Sequence, residues 1–269
     1  MKLLITGASG FLGRRAAAHF TDLGFQVLTP SHPELDITRE EAVLHWFREN
    51  RPEAVIHTAA ISDIGQCAAD PEASHLANVQ IPVYLAKAAA GRKLICFSSD
   101  QVYSAMADAG PYTEDSVNPG NLYARHKLEM EQRVLDICPE AVMLRAEWMY
   151  DRYLKKGNYF MNILNAKDSV RSSSSQYRGV TYVREVAENM EAVARLPGGA
   201  YNFGSETHKS MLEITEEFLA FIGKNLPVED GPGGHNLWMN CEKARKYGVF
   251  FSSVEDGLKK CAKDYALVK

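Results

Sequence analysis

The sequence predicts an α/β fold, a parallel sheet doubly wound by helices, on three observations. The first thirteen residues run strand, glycine turn, helix. Apolar strand segments and helical segments then alternate through the first half of the chain. Small residues follow the third and fourth strands, where sheets of this kind bind ligands. With 269 residues, 46% of them hydrophobic, the chain is long enough for one substantial core and a smaller appendage.

The opening, MKLLITGASGFLG, is the organising element. Gly7 suits the tight turn, Gly10 the close approach of backbone to a phosphate, and Gly13 the packing of helix on strand. This spacing directly behind a buried-type strand predicts a dinucleotide site, with Gly7, Ser9, Gly10, Phe11, Leu12, Gly13 and Arg14 around the cofactor. A helix from Arg14 to Leu23 and a strand Phe25 to Leu28 follow. At the end of that strand stands Thr29-Pro30-Ser31-His32, without the acidic residue that binds a free ribose 2′-hydroxyl. That absence, with Arg14 and Arg15 on the first helix turn, favours NADP(H) and leaves NAD(H) open.

Residues 40 to 50 are helical, and Ala54 to His57 form a third strand leading to Ala59 and Ala60, which are expected to lie along the cofactor. One helix spans Glu72 to Ala90 and carries Asn78. The fourth strand, Lys93 to Phe97, delivers Ser98-Ser99-Asp100 to the same sheet edge. A helix from about Asn121 to Asp136 then carries Tyr123 and Lys127. A spacing of four puts phenol and ammonium on one helix face. A nearby cation favours the charged phenol and brings it toward working range as a proton donor, while Ser99 donates a hydrogen bond to a substrate carbonyl.

Composition excludes several other classes. A formal net charge of −4 gives no electrostatic reason to expect nucleic acid or an acidic membrane as partner. No apolar run approaches the roughly 18 residues of a membrane span, and the start is a strand and glycines, so the chain is expected to be cytoplasmic. Five scattered cysteines and eight histidines without ligand spacing predict neither a disulfide framework nor a metal site.

Taken together, Thr6 to Gly13, His57-Thr58-Ala59-Ala60, Ser98 to Tyr103, Tyr123 with Lys127, and Leu144-Arg145 come in the order of the extended short-chain dehydrogenase/reductase family, which the chain resembles over nearly its whole length. Within that family it is most similar to the dTDP-4-dehydrorhamnose reductase group, through Leu35-Asp36-Ile37-Thr38 and Met143 to Tyr150. Gln176 to Val183 adds to the likeness. The resemblance implies a Rossmann domain over 1–150 and a small substrate-binding region over 151–269, interleaved with the last strands of the sheet. It also implies a triad of Ser99, Tyr123 and Lys127, with Asp36 and Ile37 beside the adenine. The reaction implied is NADPH-dependent reduction of a nucleotide-linked 4-keto sugar, with an epimerase or dehydratase, or a cofactor-binding regulatory subunit, as alternatives. A homodimer is compatible with this reading.

Two departures bear on substrate. Ser99 stands for the group's usual threonine and keeps the hydroxyl, whereas Gln101 replaces an aromatic residue that would meet the sugar. The run Arg171 to Ser175 is expected as a mobile loop at the substrate mouth, with Arg171 and Arg178 clamping a diphosphate and Trp148 beside the sugar. Beyond Gly198 a short strand at 200–203, a helix at 211–224, a loop before Trp238 and a last helix at 254–265 complete the expected elements.

Overall fold

The computed structural model describes residues 1–153 and 158–268. Strand β1 (Lys2–Thr6) is flanked on both sides by other strands and covered on both faces, so Leu3, Leu4 and Ile5 are all buried. After it come α1 (Phe11–Asp22), β2 (Gln26–Leu28), α2 (Glu40–Asn50) and β3 (Ala54–His57). Helix α1 begins three residues earlier than expected because Gly10 is its N-cap. Phe25, expected in β2, instead packs edge to face on Phe20 at 5.1 Å.

The helical layer after β3 is made of α3 (Ile64–Ala69), α4 (Pro71–His75), a π-helical turn (Leu76–Gln80) and α5 (Ile81–Ala89). One uninterrupted helix was the expectation here, but Pro82 has no amide hydrogen to close the usual ladder and the wider turn falls just before it. Asn78 sits within that turn, fully buried, donating to the Ile61 carbonyl at 2.9 Å.

Strand β4 (Lys93–Ser99) runs into a 3₁₀ turn (Asp100–Tyr103), followed by α6 (Leu122–Ile137) and β5 (Val142–Ala146). The second half comprises β6 (Trp148–Tyr150), α7 (Tyr159–Asn165), β7 (Val170–Ser172), β8 (Val180–Tyr182), α8 (Val183–Val193) and β9 (Gly199–Phe203). It ends with α9 (Met211–Phe221), β10 (Val228–Asp230), α10 (Glu242–Arg245) and α11 (Val254–Asp264).

Six parallel strands lie in the order β2-β1-β3-β4-β5-β9. One face packs Leu3, Ile5, Ile56 and Leu144 with Phe20 of α1 and Val186 and Met190 of α8. The other packs Leu4, Val55, Leu94 and Met143 with α2, α5 and α6. All strand ends that carry candidate site residues therefore reach the same edge. Two small parallel pairs, β6 with β8 and β7 with β10, stand beyond that edge over a separate cluster containing Tyr150, Phe160, Tyr182 and Phe218.

A buried network anchors α6 to the sheet. Arg145 of β5 forms an ion pair with Glu131 of α6 at 2.7 Å, and Ser98 donates to the same carboxylate at 2.5 Å. Arg145 also donates to the Tyr103 hydroxyl at 2.9 Å, which donates in turn to Asn202 of β9 at 2.7 Å. Every charge in this network has a partner, the condition for burying it.

Candidate active site

The turn between β1 and α1 is made of backbone. Gly7 has φ +79°, and a Cβ on it would stand 2.6 Å from the Ala59 amide nitrogen. A Cβ on Gly13 would stand 2.2 Å from the Gly7 carbonyl oxygen, so helix and loop meet main chain to main chain. Gly10 differs, since its Cβ would meet only that same oxygen, at 3.0 Å, leaving its other side open. No side chain caps the first amides of α1 and no acidic residue stands in its first turn. The partial positive charge there is left for an outside anion, which is what a cofactor diphosphate requires.

Around this turn Ser9, Gly10 and Arg14 are exposed, Phe11 and Leu12 half-buried. Arg14 donates to the Ser9 carbonyl at 3.3 Å and so lies across the loop. Arg15 does not join it, because Asp151 and the Tyr265 hydroxyl hold its guanidinium on the other side of the helix. Thr58, leaving β3, donates its amide and hydroxyl to the Thr6 carbonyl at 3.0 and 2.9 Å, which fixes half-buried Ala59 and exposed Ala60 beside Gly7. Asp36 accepts from the amide and hydroxyl of Thr38 at 3.0 and 2.6 Å, shaping its own loop, and Ile37 packs on the core face under α2.

Ser99 ends β4, and α6 opens on Asn121, whose side chain caps Ala124 and donates to Gln101 at 3.1 Å. That bond ties the helix carrying Tyr123 and Lys127 to the turn carrying Ser99. Lys127 is 2% exposed and donates to the Phe97 carbonyl at 2.9 Å, its Nζ 5.8 Å from the Tyr123 ring centre. Burial lowers the ammonium from its ordinary 10.5 to about 8. Burial also pushes the Tyr123 phenol above its ordinary value, with the neighbouring Ser99 hydroxyl opposing the rise and Asp100 adding to it. The protein by itself therefore does not bring the phenol into working range as expected, since desolvation outweighs the contact with Ser99, while the Lys127 ammonium is taken up by a carbonyl. His57, bonded to the Thr6 hydroxyl at 2.7 Å, is held neutral, lowered to about 3 by burial and by Lys127.

The Ser99 hydroxyl is committed as well. It donates to Asp100 at 3.0 Å and accepts from the Gln101 amide at 3.2 Å, so donation to a substrate carbonyl requires it to turn away from Asp100.

On the substrate side two expectations are corrected. Residues 171–175 are not a free loop: β7 pairs with β10, and Ser174 bonds Asp230 through its amide at 2.9 Å and its hydroxyl at 2.6 Å. Short hydroxyl side chains that suggest looseness here close a turn on a carboxylate. Nor do the two arginines form a clamp. Arg171 is exposed on β7 opposite Glu229, whereas Arg178 is 3% exposed and pairs with Asp100 at 2.9 Å. Trp148 is 56% exposed and covers the Arg178 guanidinium at 3.6 Å from its ring centre.

Residues 1–227 match the family described as RmlD substrate binding domain. The chain belongs to that family. A probable dTDP-4,6-dihydroxy-2-methyloxan-3-one 4-ketoreductase of Streptomyces antibioticus is 33% identical over 77% of this chain and 73% of its own length. A dTDP-4-dehydrorhamnose reductase of Aggregatibacter actinomycetemcomitans is 30% identical over 76% and 74%. The methionine adenosyltransferase 2 subunit beta of Xenopus tropicalis is 31% identical over 92% and 83%. Among solved structures, a dTDP-4-dehydrorhamnose reductase of Clostridium acetobutylicum superposes with TM-score 0.87 at 24% identity, covering 99% of this chain and 100% of that one. That of Bacillus anthracis, solved with NADP, gives 0.85 at 20% identity over 98% of each. At those identities the structural likeness concerns the fold, a Rossmann-type sheet.

Within this member of the RmlD substrate binding domain family, three acidic residues near the site have roles that the sequence did not disclose. Glu131 fixes α6, Asp100 receives both Ser99 and Arg178, and Glu147 lies buried behind Arg178. The available signal was polarity out of place, a Glu in the strand run VMLRAEWMY and an Asp directly after a strand end.

Proposed function

We propose that the chain reduces a nucleotide-linked 4-keto sugar with NADPH. The observation that carries this reading is the convergence of Ser99, Tyr123 and Lys127 on the sheet edge beside an uncapped glycine turn, in a chain whose relatives include named dTDP-sugar ketoreductases. Bound along that turn, NADPH supplies the hydride. Tyr123 gives its proton to the oxygen that becomes an alkoxide, Lys127 holds the cofactor ribose and stabilises the charged phenol, and Ser99 orients the carbonyl. Gln101 and Trp148 border the sugar. Preference for NADPH over NADH rests on Arg14, which lies exposed across the loop, and on the missing acidic residue after β2.

NADPH consumption measured with a panel of sugar nucleotides tests the reading, and Tyr123→Phe sharpens it. The variant keeps the ring and loses one oxygen, so cofactor affinity stays while turnover falls on the order of 10²-fold or more. Turnover near the parent rate overturns the assignment. The likeness to a methionine adenosyltransferase subunit beta favours a second reading, a cofactor-binding subunit of another enzyme. Tight NADPH binding without turnover of any sugar nucleotide would select it.

A further inference from the structure

Behind the site lie three buried ionisable side chains from three remote segments, Asp100 at 2% exposure, Glu147 at 7% and Arg178 at 3%. Two acids share one base. If all three were charged, the cluster would hold an unmatched negative charge away from water, which is far more costly than taking up a proton. The hydrogen bonds indicate which acid takes it. Asp100 accepts from the Arg178 guanidinium at 2.9 Å and from Ser99 at 3.0 Å. Glu147 has only neutral partners, the Thr181 hydroxyl and the Ser205 amide at 2.9 Å.

The cradle around Glu147 is built for a carboxyl group. A Cβ on Gly179 would fall 1.7 Å from its Oε2, and one on Gly204 2.5 Å from its carboxyl carbon. The titratable groups facing it are Asp100, Arg178, the Tyr150 phenol and the Cys241 thiol. Burial pushes phenol and thiol well above their ordinary values, which leaves them neutral. Arg178 is thus the cation within reach, and its Nε is buried without a partner.

We propose that Glu147 is a positioning residue that holds a proton, so that Arg178 gives its charge to Asp100 and keeps Trp148 over the substrate side of the site; when Glu147 ionises, Arg178 turns its spare Nε–H toward it and Trp148 is released. Burial raises the Glu147 carboxyl to about 8, with the Thr181 hydroxyl opposing and Asp100 adding to the rise. The exchange therefore falls in the mildly alkaline range. Arg178 then serves as a lever between two carboxyls, and the position of Trp148 reports which one holds it.

The test reads Trp148 fluorescence in the full chain without substrate or cofactor, so it stands or falls separately from the proposed reduction. Titration from neutral to alkaline pH is expected to shift the emission with a midpoint near pH 8, and the shift is expected to vanish in Trp148→Phe, which keeps Trp46 and Trp238 and so excludes them as its source. Glu147→Gln mimics the protonated acid, so its emission is expected to match the parent at neutral pH and stay flat thereafter. A shift retained in Glu147→Gln assigns the titration to another group, such as Lys127, and overturns the proposal. So does a parent without any shift. If Glu147→Gln does not fold, infrared spectra of the parent decide: a protonated-carboxyl band lost through pH 8 supports the proposal, and its absence at neutral pH overturns it.

Discussion

The proposed cofactor edge and the proposed substrate side of this site are built from opposite materials. Around Gly7, Gly10 and Gly13 the structure works by leaving side chains out: backbone touches backbone, and the open amides of α1 supply the electrostatics. Two to three strands along the sheet edge, Asp100, Glu147 and Arg178 are buried ionisable groups that need one another. The first design fixes one geometry. The second holds several charge states close in energy, which is where selectivity and pH response can be adjusted without disturbing the cofactor.

The largest effect that separates the two belongs to Arg178→Ala. Removing one partner of a buried ion pair leaves Asp100 buried without its cation, a loss of roughly 3–5 kcal/mol. Chemical denaturation measures it. A loss under about 1 kcal/mol, the range of exposed pairs, would mean the substrate side is not held by charge.

Gly13→Ala probes the other material. Its new Cβ must displace the Gly7 carbonyl, which lies 2.2 Å away, and overpacking of this kind costs about 1–3 kcal/mol. Because that carbonyl belongs to the turn proposed to seat the cofactor diphosphate, the cost is expected as a roughly 10- to 100-fold weaker NADPH affinity by titration calorimetry. Affinity equal to the parent would show that the turn is not the cofactor's seat.

This contrast also explains what was legible in the sequence. A backbone site demands glycine at fixed spacing within one short segment, so Gly7, Gly10 and Gly13 announce it, and the alternation of strands and helices announces the sheet. Tyr123 and Lys127 are legible for the same reason, since their spacing of four is set by a single helix. The partner of Arg178 is 78 residues away and that of Arg145 is 14 away on another element, distances over which no local pattern operates. The serine run misled because turn-forming residues give the same local signal whether the turn is free or bonded to Asp230. The π turn escaped because Pro82 near the start of α5 is compatible with an ordinary helix start.

A third effect comes from Lys127, which sits between the two regions. Its ammonium is charged below about pH 8 and neutral above, because burial disfavours the charged form. If that charge stabilises the phenolate of Tyr123, kcat falls about tenfold per pH unit above that value. The profile separates it from Glu147, whose ionisation is expected to act on KM through Trp148. Glu147→Gln should therefore leave an alkaline fall in kcat in place, and a kcat that becomes independent of pH in that variant would assign the fall to the wrong group.

The smallest effect is expected at Arg171, and its smallness is informative. Arg171 and Arg178 flank the same serine run and look interchangeable in the sequence. In the fold β7 carries Arg171 onto a two-stranded sheet opposite Glu229, exposed to water, while Arg178 passes under Trp148 to Asp100. An exposed arginine contributes little to stability, within about 0.5 kcal/mol, and a diphosphate clamp needs its two forks to converge. Arg171→Ala is thus expected to leave both the unfolding free energy and KM for a turned-over sugar nucleotide at parent values. A several-fold rise in KM would show that β7 closes on the ligand after all, placing a second binding charge on the substrate side.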